Sequence, residues 1–309
     1  MKNEMIVKTL KVNGLWEKYS VDMIFNDDVN ILTGINGAGK TTLLEIIHLL
    51  LSPNPTDHIV RKKFDTAHLT MINGYTSEIY YNSDGRMECR YTDNGKEINY
   101  DAFAKDIRTQ SVSNFDSSMP NEELVRRLKE QNPNILSELD VELNRWLEIF
   151  AKYMTLVSRR VDSILKEKGN NINKINAIYE LPRRMERICN ELFGNKVWHI
   201  SEREGSITFL LPGDNNKQIL PEQLSSGEKQ MLILLISTLV QGEQAGVVFW
   251  DEPELSLHIA WQQQLIRVMR MLNPNMQLMI ATHSPNILFE GWEQRVLNVQ
   301  NILKDDTVQ

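Results

Sequence analysis

Nine consecutive residues, Gly34-Ile35-Asn36-Gly37-Ala38-Gly39-Lys40-Thr41-Thr42, carry the pattern G-x-x-x-x-G-K-[ST]. Such a run can hold the phosphates of a nucleotide. Its glycines let the backbone wrap close to an anion, and the amides from Asn36 through Gly37, Ala38 and Gly39 to Thr42 open a helix whose first N–H groups attract negative charge. Lys40 can reach the β- and γ-phosphates, and the Thr41 hydroxyl can ligate Mg2+. The plain alternative is a glycine-rich turn without a ligand. It is disfavoured because the run follows the short apolar stretch Val29–Thr33 and opens a helical one at Lys40.

A second run, Val247-Val248-Phe249-Trp250-Asp251-Glu252, reads as a buried strand ending in two carboxylates. Beside a phosphate loop, Asp251 can enter the metal shell and Glu252 can take a proton from an attacking water. Alone the run says little, because many strands end in solvated acids. Trp250 is bulky for such a strand.

Two further motifs complete an order. Leu224-Ser225-Ser226-Gly227-Glu228-Lys229-Gln230 is similar to the LSGGQ signature of ABC ATPases, and Thr282-His283-Ser284-Pro285 resembles their switch-histidine loop. Phosphate loop, signature, carboxylate strand and histidine loop stand in that family's order, so the chain resembles an ABC-class ATPase. The resemblance implies an α/β fold: an ABC-ATPase head, with a P-loop sheet, flanking helices and an N-terminal antiparallel β portion. It implies ATP with Mg2+, and sites completed only when two copies meet. Ser225 and Gly227 would bind the γ-phosphate held by the partner's loop, and His283 would contact it from its own side. A core or capping histidine is the alternative for His283. Gln110 falls where the family keeps a glutamine that touches metal and water, though it could equally end a strand. Trp16 and Tyr19 fall where an aromatic stacks on adenine, or they are core aromatics.

Glu252 is followed by Pro253-Glu254-Leu255-Ser256-Leu257-His258. That form resembles the SMC, RecF and OLD-type branch, and with the compact length it looks most like the small stand-alone ATPases, of AAA-family type, in bacterial anti-phage systems. This resemblance implies a homodimer or higher oligomer controlling a toxic effector protein encoded nearby. The alternatives are a DNA-repair or DNA-organising ATPase and, less favoured, the nucleotide-binding subunit of a transporter. The doublets Arg126-Arg127, Arg159-Arg160 and Arg183-Arg184 could contact nucleic-acid phosphates, or be solvated faces balanced by nearby acids.

The elements that must position these residues can be read from periodicity. Met5–Val12 alternates as a strand. Lys40–Leu51 is a helix apolar on nearly all sides, which belongs inside a domain. Residues 66–100 read as short strands with turns at Asn73-Gly74, Asp84-Gly85 and Asn94-Gly95. Residues 120–195 read as a helical insertion, with one helix over 135–168 and a second over 172–193 that Pro182 should kink or interrupt. The organisation expected is therefore 1–119 and 196–309 as two parts of one head, with 120–195 inserted. Trp146, Phe150, Met154, Leu156, Val157 and Tyr179 exceed what one helical seam buries, so the insertion should fold back on the head or meet a partner. The 309 residues are 41% apolar, enough for a full core, and their formal charge of −7 argues against a uniformly basic DNA-coating protein. No apolar run is long enough to span a bilayer and the N-terminus lacks a signal-peptide core, so a cytoplasmic protein without membrane contact is expected. Cys89 and Cys189 form no CxxC and read as reduced thiols.

Overall fold

The computed structural model describes residues 6–52, 64–105, 107, 109–113, 126, 130, 137–167, 169, 171–194, 196–202, 204–213, 217–288 and 291–306. The chain packs as two compact units, one of residues 1–115, 244–253 and 275–309, the other of residues 116–243 and 254–274.

The first unit holds two sheets. Five parallel strands run in the order β14 (Val296–Asn298), β3 (Val29–Thr33), β13 (Met276–Ala281), β12 (Gly246–Asp251) and β8 (Thr109–Ser113). Every residue of β12 and β13 is buried, as expected of parallel strands covered on both faces. The second sheet is antiparallel, in the order β15 (Lys304–Asp305), β2 (Tyr19–Ile24), β1 (Val7–Leu15), β4 (Thr66–Met71), β5 (Tyr75–Tyr81), β6 (Met87–Asp93) and β7 (Lys96–Ile98). Its turns fall at the Asn-Gly and Asp-Gly pairs the sequence marks. Helix α1 (Lys40–Leu51) contacts both sheets. Its apolar circumference explains this: Leu43, Ile46, Ile47 and Leu50 share one buried cluster with Leu69 and Ile79 of the antiparallel sheet and Phe249 and Met279 of the parallel one. Ser77 donates to the Leu50 carbonyl at 2.6 Å, closing one of the acceptors left open at the end of α1. A short helix, α2 (Tyr100–Ala104), follows β7 and is capped by Asn99.

The second unit contains helices α3 (Glu138–Leu165) and α4 (Ile172–Leu192), the antiparallel sheet β9 (Val197–Ile200), β10 (Ile207–Leu211) and β11 (Lys217–Ile219), and helices α5 (Ser226–Leu239) and α6 (Ile259–Leu272). Helix α3 packs on α5, and α4 packs on β9 and α6. Thus Trp146, Phe150, Met154, Val157 and Tyr179 are buried, and of the six apolar residues singled out only Leu156 is exposed. Folding back consumes the apolar excess, so that excess no longer argues for a partner. Each large side chain so covered contributes about 1.5–3 kcal/mol. Pro182 does not interrupt α4, which runs unbroken through it. The proline costs the bond to Ile178, but Tyr179, Leu181, Pro182 and Met185 are all buried, and packing holds the turn. The start of the expected first helix lies outside the described residues. Among the described residues no helix is long and apolar enough to cross a membrane.

Candidate functional site: a phosphate loop with carboxylates and a histidine

In the first unit, strands β3, β12 and β13 end side by side, with Leu32 beside Ala281 and Ala281 beside Asp251. Ligands of open parallel sheets bind at this carboxyl edge, and the three loops leaving it carry the residues expected to do chemistry. The first runs from Gly34 to Gly39 and enters α1. Gly39 sits at φ +96°, and a Cβ there would press on the indole of Trp16, so both backbone and space demand glycine. Trp16 and Glu17 themselves take positive φ (53° and 60°) in a tight turn between β1 and β2. Trp16 stacks edge-on against Tyr19, 6.2 Å away. Of the two expected aromatics, Trp16 is the one placed on the phosphate loop.

Lys40 is buried, and its ammonium donates to the carbonyls of Gly34 (3.2 Å) and Ile35 (3.4 Å). It also stands 2.6 Å from His283 Nε2. On the next residue, the Thr41 hydroxyl donates to Asp251 Oδ1 at 3.1 Å. Adjacent ligands on an octahedral Mg2+ with bonds near 2.1 Å lie about 3 Å apart, so these two oxygens already have the spacing of neighbours in such a shell. Hard oxygen donors, one carboxylate among them, fit Mg2+ shared with phosphates. Among the described residues no group of three or more His, Cys, Asp or Glu could form a separate all-protein metal site.

Glu252 holds φ +48°, uncommon for a residue with a side chain and costing about 1–3 kcal/mol. Its N–H donates to the Ala281 carbonyl at 2.8 Å, which fixes this bent exit from β12. The carboxylate oxygen Oε1 thereby comes 3.3 Å from His283 Nε2, with the two side chains 22% and 37% exposed. His283 is held in turn by its neighbour: the Thr282 N–H donates to Leu32 at 3.1 Å and its hydroxyl accepts from the Ser284 N–H at 2.9 Å. Lys40, Thr41, Asp251, Glu252 and His283 thus converge. In β8 Gln110 pairs with Val248, and the strand position level with Asp251 is Ser113. Three residues of β8 separate the backbone of Gln110 from that level.

The signature lies in the second unit. Ser225 is the N-cap of α5, in a capping box: the Glu228 N–H donates to Ser225 Oγ (3.3 Å), while Glu228 Oε2 accepts from the Ser225 N–H (2.8 Å) and hydroxyl (2.9 Å). Glu228 Oε1 also pairs with Lys196, at 6% and 12% side-chain exposure. Burial pushes this carboxyl's pKa up, but the Lys196 ammonium and the two Ser225 donors outweigh it and hold the group below its ordinary value. Gly227 is buried against the chain after Pro253, where a Cβ would come 2.6 Å from the Ser256 carbonyl oxygen. Lys229 is buried too, 2.6 Å from Asp140 Oδ1 near the start of α3. The sequence reading missed Lys196, Lys229 and Asp140, although the pattern S-x-x-[DE] at Ser137–Asp140 and Ser225–Glu228 marks both helix starts. Of the arginine doublets, Arg183 and Arg184 are paired with Glu202 and Glu243 at 2.6 Å each, and Arg159 and Arg160 are exposed. Arg126 faces Glu130 at 3.7 Å, and Arg127 lies outside the described residues.

A P-loop, a carboxylate strand end and a histidine loop at one sheet edge are the arrangement of an ABC-type ATPase head. In agreement, the chain has the fold of the SMC head domain from Thermotoga maritima, with a TM-score of 0.56 over 99% of this chain and 100% of that one, at 14% identity. The chain belongs to the family described as "AAA domain, putative AbiEii toxin, Type IV TA system", whose pattern it matches over residues 29–288. It is similar to the Septu protein PtuA of Bacillus thuringiensis, 21% identical over 92% of this chain and 73% of that protein. It is similar also to the Retron Ec83 probable ATPase of Escherichia coli, 25% identical over 65% of this chain and 33% of that one.

Proposed function

We propose that this chain binds ATP with Mg2+ and hydrolyses it at sites shared between two copies, and that the nucleotide state controls a separately encoded effector protein in defence against phage. The observation that carries the hydrolytic reading is the convergence of Lys40, Thr41, Asp251, Glu252 and His283 at one sheet edge. Lys40 would exchange its carbonyl partners for β- and γ-phosphate oxygens. Thr41 and Asp251 would hold the Mg2+, which neutralises charge on the phosphates when bound. Glu252, bent out of its strand, would accept a proton from the attacking water, and His283 would hold the γ-phosphate beside it. Trp16 is the candidate to meet adenine. The defence role and the effector rest on likeness to PtuA and the retron ATPase, and cytoplasmic residence is part of the same proposal.

The test is a pair of variants. Glu252→Gln should bind ATP as the parent does and turn it over about 100-fold or more slowly, whereas Lys40→Ala should lose tight binding. Normal turnover by Glu252→Gln would remove Glu252 from the role of base. For the effector, neighbouring gene products should co-purify in a nucleotide-dependent manner; a partner held equally in every nucleotide state would refute the switch.

A further inference from the structure

We propose that Asp140 and Lys196, at the two roots of the α3–α4 hairpin, are positioning residues for hydrolysis that act through the signature turn. The proposal rests on the reading of Ser225 given above. Consecutive residues in the first turn of α5 are gripped by the two roots of the hairpin. Glu228 is held by Lys196, which stands between α4 and β9, and Lys229 is held by Asp140, in the first turn of α3. Neither grip is a solvated surface pair, since the four side chains are between 3% and 12% exposed.

Each grip is also anchored behind. Asp140 Oδ2 accepts from the Ser137 N–H and hydroxyl, both at 2.9 Å, so its carboxylate is fixed to the start of α3. Glu228 passes the other grip directly to Ser225 through the capping box. Two directional contacts on successive residues fix both the position and the rotation of a helix's first turn, which one apolar contact would not. Buried ion pairs are poor sources of stability compared with apolar groups of the same volume, and their best-attested use is to fix register. Here the register fixed is that of Ser225, the group that would meet the partner's γ-phosphate. A change in the pose of the hairpin therefore moves the signature turn with it.

The experiment uses the full-length chain carrying Asp140→Asn together with Lys229→Met, which removes both charges and leaves neither stranded. ATP affinity, turnover and melting temperature are measured beside wild type and Ser225→Arg. The expected result is a fall in kcat of about tenfold or more, with ATP affinity within about twofold and the melting temperature little changed. Wild-type turnover by the double variant, while Ser225→Arg is inactive, overturns the positioning role and leaves the signature reading standing. Wild-type turnover by Ser225→Arg itself overturns the signature reading. Should the double variant not fold, Lys196→Gln decides the question at the other root. A lowered kcat with intact ATP binding supports the proposal there, and unchanged turnover overturns it.

Discussion

His283 Nε2 stands 2.6 Å from the Lys40 ammonium and 3.3 Å from the Glu252 carboxylate, so one nitrogen is shared by groups of opposite charge. Lys40 can donate to it only when it lacks a proton, and Glu252 can accept from it only when it carries one. A γ-phosphate that draws Lys40 away would let the tautomer with its proton on Nε2 donate to Glu252 or to the phosphate. His283→Ala should therefore lower kcat by about 100-fold while ATP affinity moves by less than about threefold. Single-turnover hydrolysis with equilibrium ATP binding separates the two, and equal losses in both would contradict it.

The Thr41–Asp251 contact has the spacing of two neighbouring Mg2+ ligands. Asp251→Asn should raise the Mg2+ concentration for half-maximal ATP hydrolysis by about tenfold or more, through loss of the only charged protein ligand proposed. A Mg2+ titration of turnover reads this directly, and an unchanged midpoint would place the metal elsewhere.

Gly227 has a structural duty beside any contact with phosphate, because a Cβ there meets the Ser256 carbonyl. Gly227→Ala should destabilise the protein by about 1–3 kcal/mol, the usual cost of overpacking. Denaturant unfolding measures it. ATP binding in the absence of partner engagement should be retained, since the phosphate loop lies in the other compact unit.

Much of this was legible in the sequence because it is local. The phosphate loop, α1, β3 and the Asn-Gly turns each rest on residues within a few positions of one another. What was not legible is long-range or stereochemical. Lys229 and Asp140 are 89 positions apart, and no spacing rule joins them. The bend at Glu252 reflects where Ala281 offers a carbonyl, which only strand pairing decides. The register of β8 on β12, which sets Gln110 beside Val248, is likewise not a property of either strand alone.

The lowered pKa of Glu228 makes a prediction about acid. A carboxyl whose folded value lies below its ordinary 4.5 contributes stability that is fully present above that pH and lost as pH falls through the folded value. Glu228→Gln should flatten the acid limb of the stability-versus-pH curve below about pH 4.5. Thermal unfolding from pH 7 to 3 compares the two, and parallel curves would show that Glu228 carries no such linkage.

The proposed hydrolytic site needs two chains, and mixing two inactive variants tests that most directly. Ser225→Arg keeps its own phosphate loop and Lys40→Ala keeps its own signature, so a mixed pair contains one intact composite site. An equimolar mixture should recover about one quarter of wild-type turnover, since half of randomly formed pairs are mixed and each has one of two sites. A mixture as inactive as its parents, or Ser225→Arg alone hydrolysing ATP at the wild-type rate, would contradict the composite site.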